Sequence, residues 1–96
     1  MTIDEVFAAI AAEVIAAEKK FPRWPDDEVH SAAIVCEEAG ELIQAALDFY
    51  YCRCLSGERM RREAIQTGAM AVRFLLAHDA DDQHTLTGSA QKEEQQ

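Results

Sequence analysis

Apolar and polar positions repeat with helical period in three stretches of the chain. In the first, Ile3, Val6, Phe7, Ile10, Val14, Ala17 and Phe21 fall on one side of a 3.6-residue repeat. Thr2 and Glu5 ahead of them have the spacing of a capping box. The pattern predicts a helix over about residues 3–20, with Glu13, Lys19 and Lys20 outside its apolar stripe. The run Phe21-Pro22-Arg23-Trp24-Pro25 ends that helix, because a proline disfavours helical backbone in the residue before it.

Asp26 or Asp27 then caps a second helix that continues to about Tyr51. Its main apolar stripe is Val29, Ala33, Cys36, Gly40, Ile43, Leu47 and Tyr50. Ala32, Val35, Ala39, Leu42, Ala46 and Phe49 widen the apolar arc past half the circumference, so the helix is expected to be buried on more than one side. His30, Glu37, Glu41, Gln44 and Asp48 make up the narrow polar strip that is left. After a short connection, Cys52 to Gly57, a third helix is expected from about Glu58 to Ala77. It carries two seams, one of Ile65, Ala69, Val72 and Leu76 and one of Met60, Thr67, Met70, Ala71 and Phe74.

This is an all-α reading: a long antiparallel helix hairpin with an N-terminal helix packed on it. A three-helix monomer cannot cover all of that apolar surface, so oligomerisation is expected to complete a helical bundle, as a homodimer or homotetramer. Residues 1–78 form the domain; 79–96, rich in Asp, Gln, Thr, Ser, Glu and Lys, read as a disordered or weakly ordered polar arm. The length of 96 residues fits one small domain. Area scaling leaves only about two-thirds of the chain's surface buried on folding, enough for one modest core.

Composition narrows the function classes. Nine Lys+Arg against eighteen Asp+Glu give a formal net charge of −9, which disfavours a nucleic-acid groove and an anionic membrane surface alike. Neither a nucleic acid nor a membrane is expected as a partner. The N-terminus has no basic n-region or cleavage site, no apolar run approaches a membrane span, and the sequence reads as cytoplasmic. Three cysteines make no disulfide framework, and Cys52-x-Cys54 lacks the second pair that a zinc site needs. A ferritin-like di-iron site would require Glu-x-x-His, which does not occur.

The chemistry lies in Glu37-Glu38-Ala39-Gly40-Glu41, in the middle of the second helix. Helical spacing makes Glu37, Glu38 and Glu41 neighbours, and carboxylates that close repel one another unless a cation compensates. Glu38 stands out, because Ile34, Val35 and Leu42 surround it at i±3 and i±4. A carboxylate in apolar surroundings is costly unless it is paired or ligates a metal. Glu41 lies roughly 15 Å before the turn and Glu63 roughly 9 Å after it, at 1.5 Å per residue, so the two match in height across the helix pair. Gln66 is one turn further on, level with Glu38. Oxygen ligands of this kind suit Mg²⁺ or Mn²⁺. The ordinary alternative is a solvated acidic face of Glu37, Glu41 and Asp48.

Ile34-Val35-Cys36-Glu37-Glu38-Ala39-Gly40-Glu41-Leu42 resembles the E-E-x-x-E helix of the MazG-like, all-α nucleoside triphosphate pyrophosphohydrolases, and Glu63-Ala64-Ile65-Gln66 stands where that family carries E-x-x-D. The resemblance runs from about His30 to Leu75. It implies Mg²⁺-dependent cleavage of the α–β phosphoanhydride of (deoxy)nucleoside triphosphates to monophosphate and pyrophosphate. It also implies Glu38, Glu41 and Glu63 as metal ligands, Gln66 in the fourth position, and Glu37 as ligand or orienter of the attacking water, with Glu37 and Glu38 the catalytic pair. An amide at Gln66 removes one negative charge from the family's set, which weakens metal affinity. The same change supports an alternative, a non-catalytic nucleotide- or metal-binding protein, or a helical interaction module. Arg59, Arg62, Arg73, Lys19 and Lys20 are candidates for substrate phosphates, or form surface ion pairs; Lys20 and Arg62 are carried as substrate-binding residues. Trp24 is a candidate to stack on a base, or it packs over a helix end. His30 opens the second helix without an assigned role.

Overall fold

The computed structural model describes residues 1–52 and 56–79, and within them the chain is all-helical, with no strand. Residues 53–55 of the connection, Cys54 included, and 80–96 of the polar arm lie outside the described residues. Helix α1 spans Ile3–Lys20, α2 Glu28–Tyr51 and α3 Glu58–His78. Each begins or ends for a local reason. The Thr2 hydroxyl accepts the Glu5 N–H at 3.1 Å while the Glu5 carboxylate accepts the Thr2 N–H at 2.8 Å, so two otherwise orphaned amides are satisfied. Phe21 closes α1 by donating its N–H to the carbonyl of Ala17. Asp27, not Asp26, is the cap of α2: its carboxylate accepts the His30 N–H at 2.8 Å and lies 2.8 Å from the imidazole of His30. Those contacts hold the Asp27 carboxyl below its ordinary range, the backbone N–H contributing most.

Helix α3 is central. It packs against α2 on one side and α1 on the other, while α1 and α2 have no backbone contact with each other. Contacts between α2 and α3 run in opposite chain order, from Asp48–Arg59 near the connection to Ser31–His78 at the far end. Contacts between α1 and α3 run in the same order, from Ile10 beside Gly68 to Phe21 beside Arg73. Gly68 lets α1 come close, since a Cβ there would lie 3.0 Å from the Ile10 Cδ1. The core is small: Val14, Ala17, Ala69 and Met70, joined by half-buried Ile10, Trp24, Ile34, Val35 and Val72.

The stripe expected to dominate α2 is not the one that packs. Val29, Ala33, Cys36, Gly40, Ile43, Leu47 and Tyr50 are all exposed. The face turned to α3 holds Ser31, Ile34, Val35, Glu38, Leu42 and Ala45, about 160° round the helix at 100° per residue. Small Ser31 and Ala45, both buried, admit close approach to α3, whereas α1 leaves the opposite side of α2 with no neighbour among the described residues. Part of the α1 stripe is similarly uncovered, with Ile3, Phe7 and Phe21 exposed. Cys36 is a free, exposed thiol and Cys52 is disulfide-bonded, so neither pairs with the other in a thiolate metal site. No helix among the described residues is long and apolar enough to cross a membrane.

Candidate metal centre

The face of α2 that packs on α3 carries Glu38 near its middle, between Ile34, Val35 and Leu42. Glu41 sits at the edge of that face, and Glu63 faces both from the second turn of α3. One carboxylate oxygen from each of Glu38, Glu41 and Glu63 lies within 4.8 Å of the others, a spacing that one divalent cation can bridge. Oε1 of Glu38 and Oε1 of Glu63 are buried and accept no hydrogen bond from the described residues. Buried carboxylate oxygens without a donor are expensive, and a bound cation is one partner that would offset that cost. The donor set, all carboxylate oxygen, fits Mg²⁺ or Mn²⁺.

Burial pushes the Glu38 carboxyl above its ordinary value of 4.5, and the charges of Glu41, Glu63, Glu37 and Glu13 push it further in the same direction. Glu37 itself is exposed and lies outside the three-carboxylate cluster, about 40° round α2 from Glu41 at 100° per residue. Gln66 lines a cleft of about 310 Å³ beside the cluster, shared with Glu38 of α2 and Glu13 and Lys20 of α1. Glu13 is the residue that the sequence reading set aside. It is half-buried, and its spacing to Ile10 and Ala17, i−3 and i+4, places it on the packed face of α1 rather than outside it. That spacing was the available signal.

The cationic candidates separate in space. Arg59 donates to Asp48 at 2.8 Å, an exposed ion pair that joins the start of α3 to the end of α2. Gln44 donates to the same carboxylate, and the Arg59 and Gln44 bonds hold Asp48 below its usual range, Arg59 first. Arg62 is exposed and borders a neighbouring groove between α1 and α3 that also contains Glu13. Lys19 is exposed, whereas Lys20 opens onto the Glu38–Gln66 cleft. Trp24 packs against the core with the Arg73 guanidinium over its ring, 4.8 Å from the centroid, and His30 is engaged with Asp27.

Compared with protein-family models, curated proteins and solved structures, the chain matches none of them.

Proposed function

We propose that the chain is a Mg²⁺-dependent nucleoside triphosphate pyrophosphohydrolase acting in cytoplasmic nucleotide-pool house-cleaning. The observation that carries this reading is the clustering of the Glu38, Glu41 and Glu63 carboxylates, two of which hold a buried oxygen without a partner among the described residues. The E-E-x-x-E spacing of the helix that supplies two of the three supports it. A bound divalent cation would neutralise charge on the phosphates and lower the pKa of a water. In this reading Glu38, Glu41 and Glu63 hold the cation, and Gln66 orients a water or phosphate oxygen through its amide. Glu37, exposed beside the cluster, takes the proton of the attacking water. The water oxygen bonds to one of the two phosphorus atoms of the α–β anhydride, and the bridging oxygen leaves with its electron pair on the other fragment, so that monophosphate and pyrophosphate result. The working unit is proposed to be a homodimer or homotetramer, in which a second copy covers the apolar stripe from Val29 to Tyr50 on α2.

Pyrophosphate release from a panel of NTPs and dNTPs with Mg²⁺, beside a Glu38→Gln control, tests this. Release that the control abolishes is the expected result; equal release from the control refutes the site. A second reading, a nucleotide binder without turnover, is favoured by one observation: Gln66 gives the cleft an amide where a fourth carboxylate would complete the ligand set. Nucleotide binding without release would select it.

A further inference from the structure

The cleft beside the three carboxylates is electrically divided. Glu13 and Glu38 line it towards the cluster, while Lys20 and Arg73 line it towards the end of α1. Arg73 is only 6% exposed, yet no carboxylate among the described residues lies within ion-pair distance of it. Its Nη2 donates to the carbonyl of Phe21 at 2.8 Å, and the guanidinium stacks over the Trp24 ring. A guanidinium carries five N–H donors, so most of this one's capacity is left for a partner that the described residues do not supply. The Nε1 of Trp24, the ring under that guanidinium, is also buried without an acceptor among the described residues. The other Arg73 nitrogens are not sealed from solvent, and stacking with a single carbonyl contact leaves the charge without a counter-ion among the described residues. These contacts do fix the orientation of the planar group, which is what recognition of an oxyanion needs.

We propose that Arg73, with Lys20 at the rim, is the seat of a phosphoanhydride group. Arg73 lies ten residues beyond Glu63 on α3, about 15 Å along the axis, and its side chain shares one cleft with Glu38. The guanidinium and the carboxylate cluster therefore bracket the cleft from its two ends, and a phosphoanhydride chain reaches from one towards the other. Within the hydrolytic reading, on which the assignment to substrate rests, this is the seat of the departing pyrophosphate. The anion site itself does not depend on turnover.

The test uses the full chain in EDTA, with inorganic pyrophosphate as the probe and the single tryptophan, Trp24, as the fluorescent reporter. A saturable change in Trp24 emission is expected. Arg73→Lys, checked for helicity by circular dichroism, weakens the apparent affinity about ten- to a hundredfold, as loss of a charge-assisted bidentate contact does. Lys20→Glu, at an exposed position and checked for helicity in the same way, weakens it severalfold. No saturable change in the unaltered chain, or Arg73→Lys binding as well as it, overturns the proposal. If Arg73→Lys does not fold, unchanged binding by Lys20→Glu overturns it instead. Glu38→Gln separates the two readings: pyrophosphate binding in EDTA persists there while Mg²⁺-dependent release is lost. Hydrolysis without pyrophosphate binding would leave the reaction standing and remove the seat.

Discussion

Replacing Glu38 by glutamine keeps the side chain's shape and removes one charge, and the consequence has opposite signs with and without metal. Two unit charges 4.8 Å apart, the upper limit for this cluster, repel by about 0.9 kcal/mol in water and about 3.5 kcal/mol at an effective dielectric of 20. Glu38 has two such neighbours and is only half-buried, so water holds the sum near the lower end, about 1–2 kcal/mol. Glu38→Gln should therefore stabilise the metal-free chain, raising Tm by about 4–12 °C for a domain of this size. The unaltered chain should gain about 2.7 kcal/mol in Mg²⁺ at a hundred times its Kd, and the variant almost none. The pH dependence follows the same logic. Because burial and like charges raise the Glu38 pKa, the folded state holds a proton more tightly than the unfolded one. The associated destabilisation is full above the raised pKa and is relieved as pH falls through it towards 4.5, the ordinary value. Metal binding weakens over the same interval, because the proton competes for the ligand. Differential scanning fluorimetry with EDTA or MgCl₂ over this pH range reads all three effects. A lower Tm for the metal-free variant, or an undiminished Mg²⁺ shift, would refute the reasoning.

Three further outcomes are expected. Gln66→Asp adds a carboxylate to the cleft and should tighten Mg²⁺ binding about tenfold, the Coulomb energy of a dication and a carboxylate about 6 Å apart in water; calorimetric titration showing no gain would place Gln66 outside the ligand set. Ser31→Ala removes the fully buried hydroxyl that bonds the Pro25 carbonyl at 3.2 Å and His78 Nε2 at 2.8 Å. It should cost about 1–3 kcal/mol in denaturant unfolding while leaving the Mg²⁺ response intact. A Cβ at Gly40 meets nothing within 4 Å among the described residues, so Gly40→Ala should stabilise α2 by about 0.5–1 kcal/mol. The measurement is made at a protein concentration where the chain is monomeric, and a fall in Tm there would refute this reading of the exposed side of α2.

The helix ends were legible in the sequence because their causes are local: Thr2 and Glu5, the prolines after Phe21, and the Asp27 carboxylate act within four residues of where they sit. Glu38 was legible for a related reason, since a carboxylate ringed by Ile34, Val35 and Leu42 is anomalous on any helix. Its meeting with Glu63 needed only rise per residue and a short connection. The side of α2 that packs was not legible. Hydrophobicity ranks the stripe from Val29 to Tyr50 first, but the choice depended on small side chains at Ser31 and Ala45 and on α1 settling against α3 instead of α2. The stacking of Arg73 on Trp24 joins residues distant in the chain, and no periodicity encodes it.

That α3 alone holds the other two helices has a consequence for the order of assembly. The Asp48–Arg59 pair spans 11 residues, so α2 and α3 close a short loop. The Arg73–Phe21 bond spans 52 residues, and every contact of α1 with α3 carries a loop-closure entropy of that larger kind. Refolding should therefore form the α2–α3 pair first and dock α1 afterwards, with amides of α1 exchanging hydrogen sooner than those in the middle of α3. Glu13, Lys20 and Phe21 ride on α1, so the cleft comes into being only at that last docking step. The carboxylates of α2 and α3 are by then already in place.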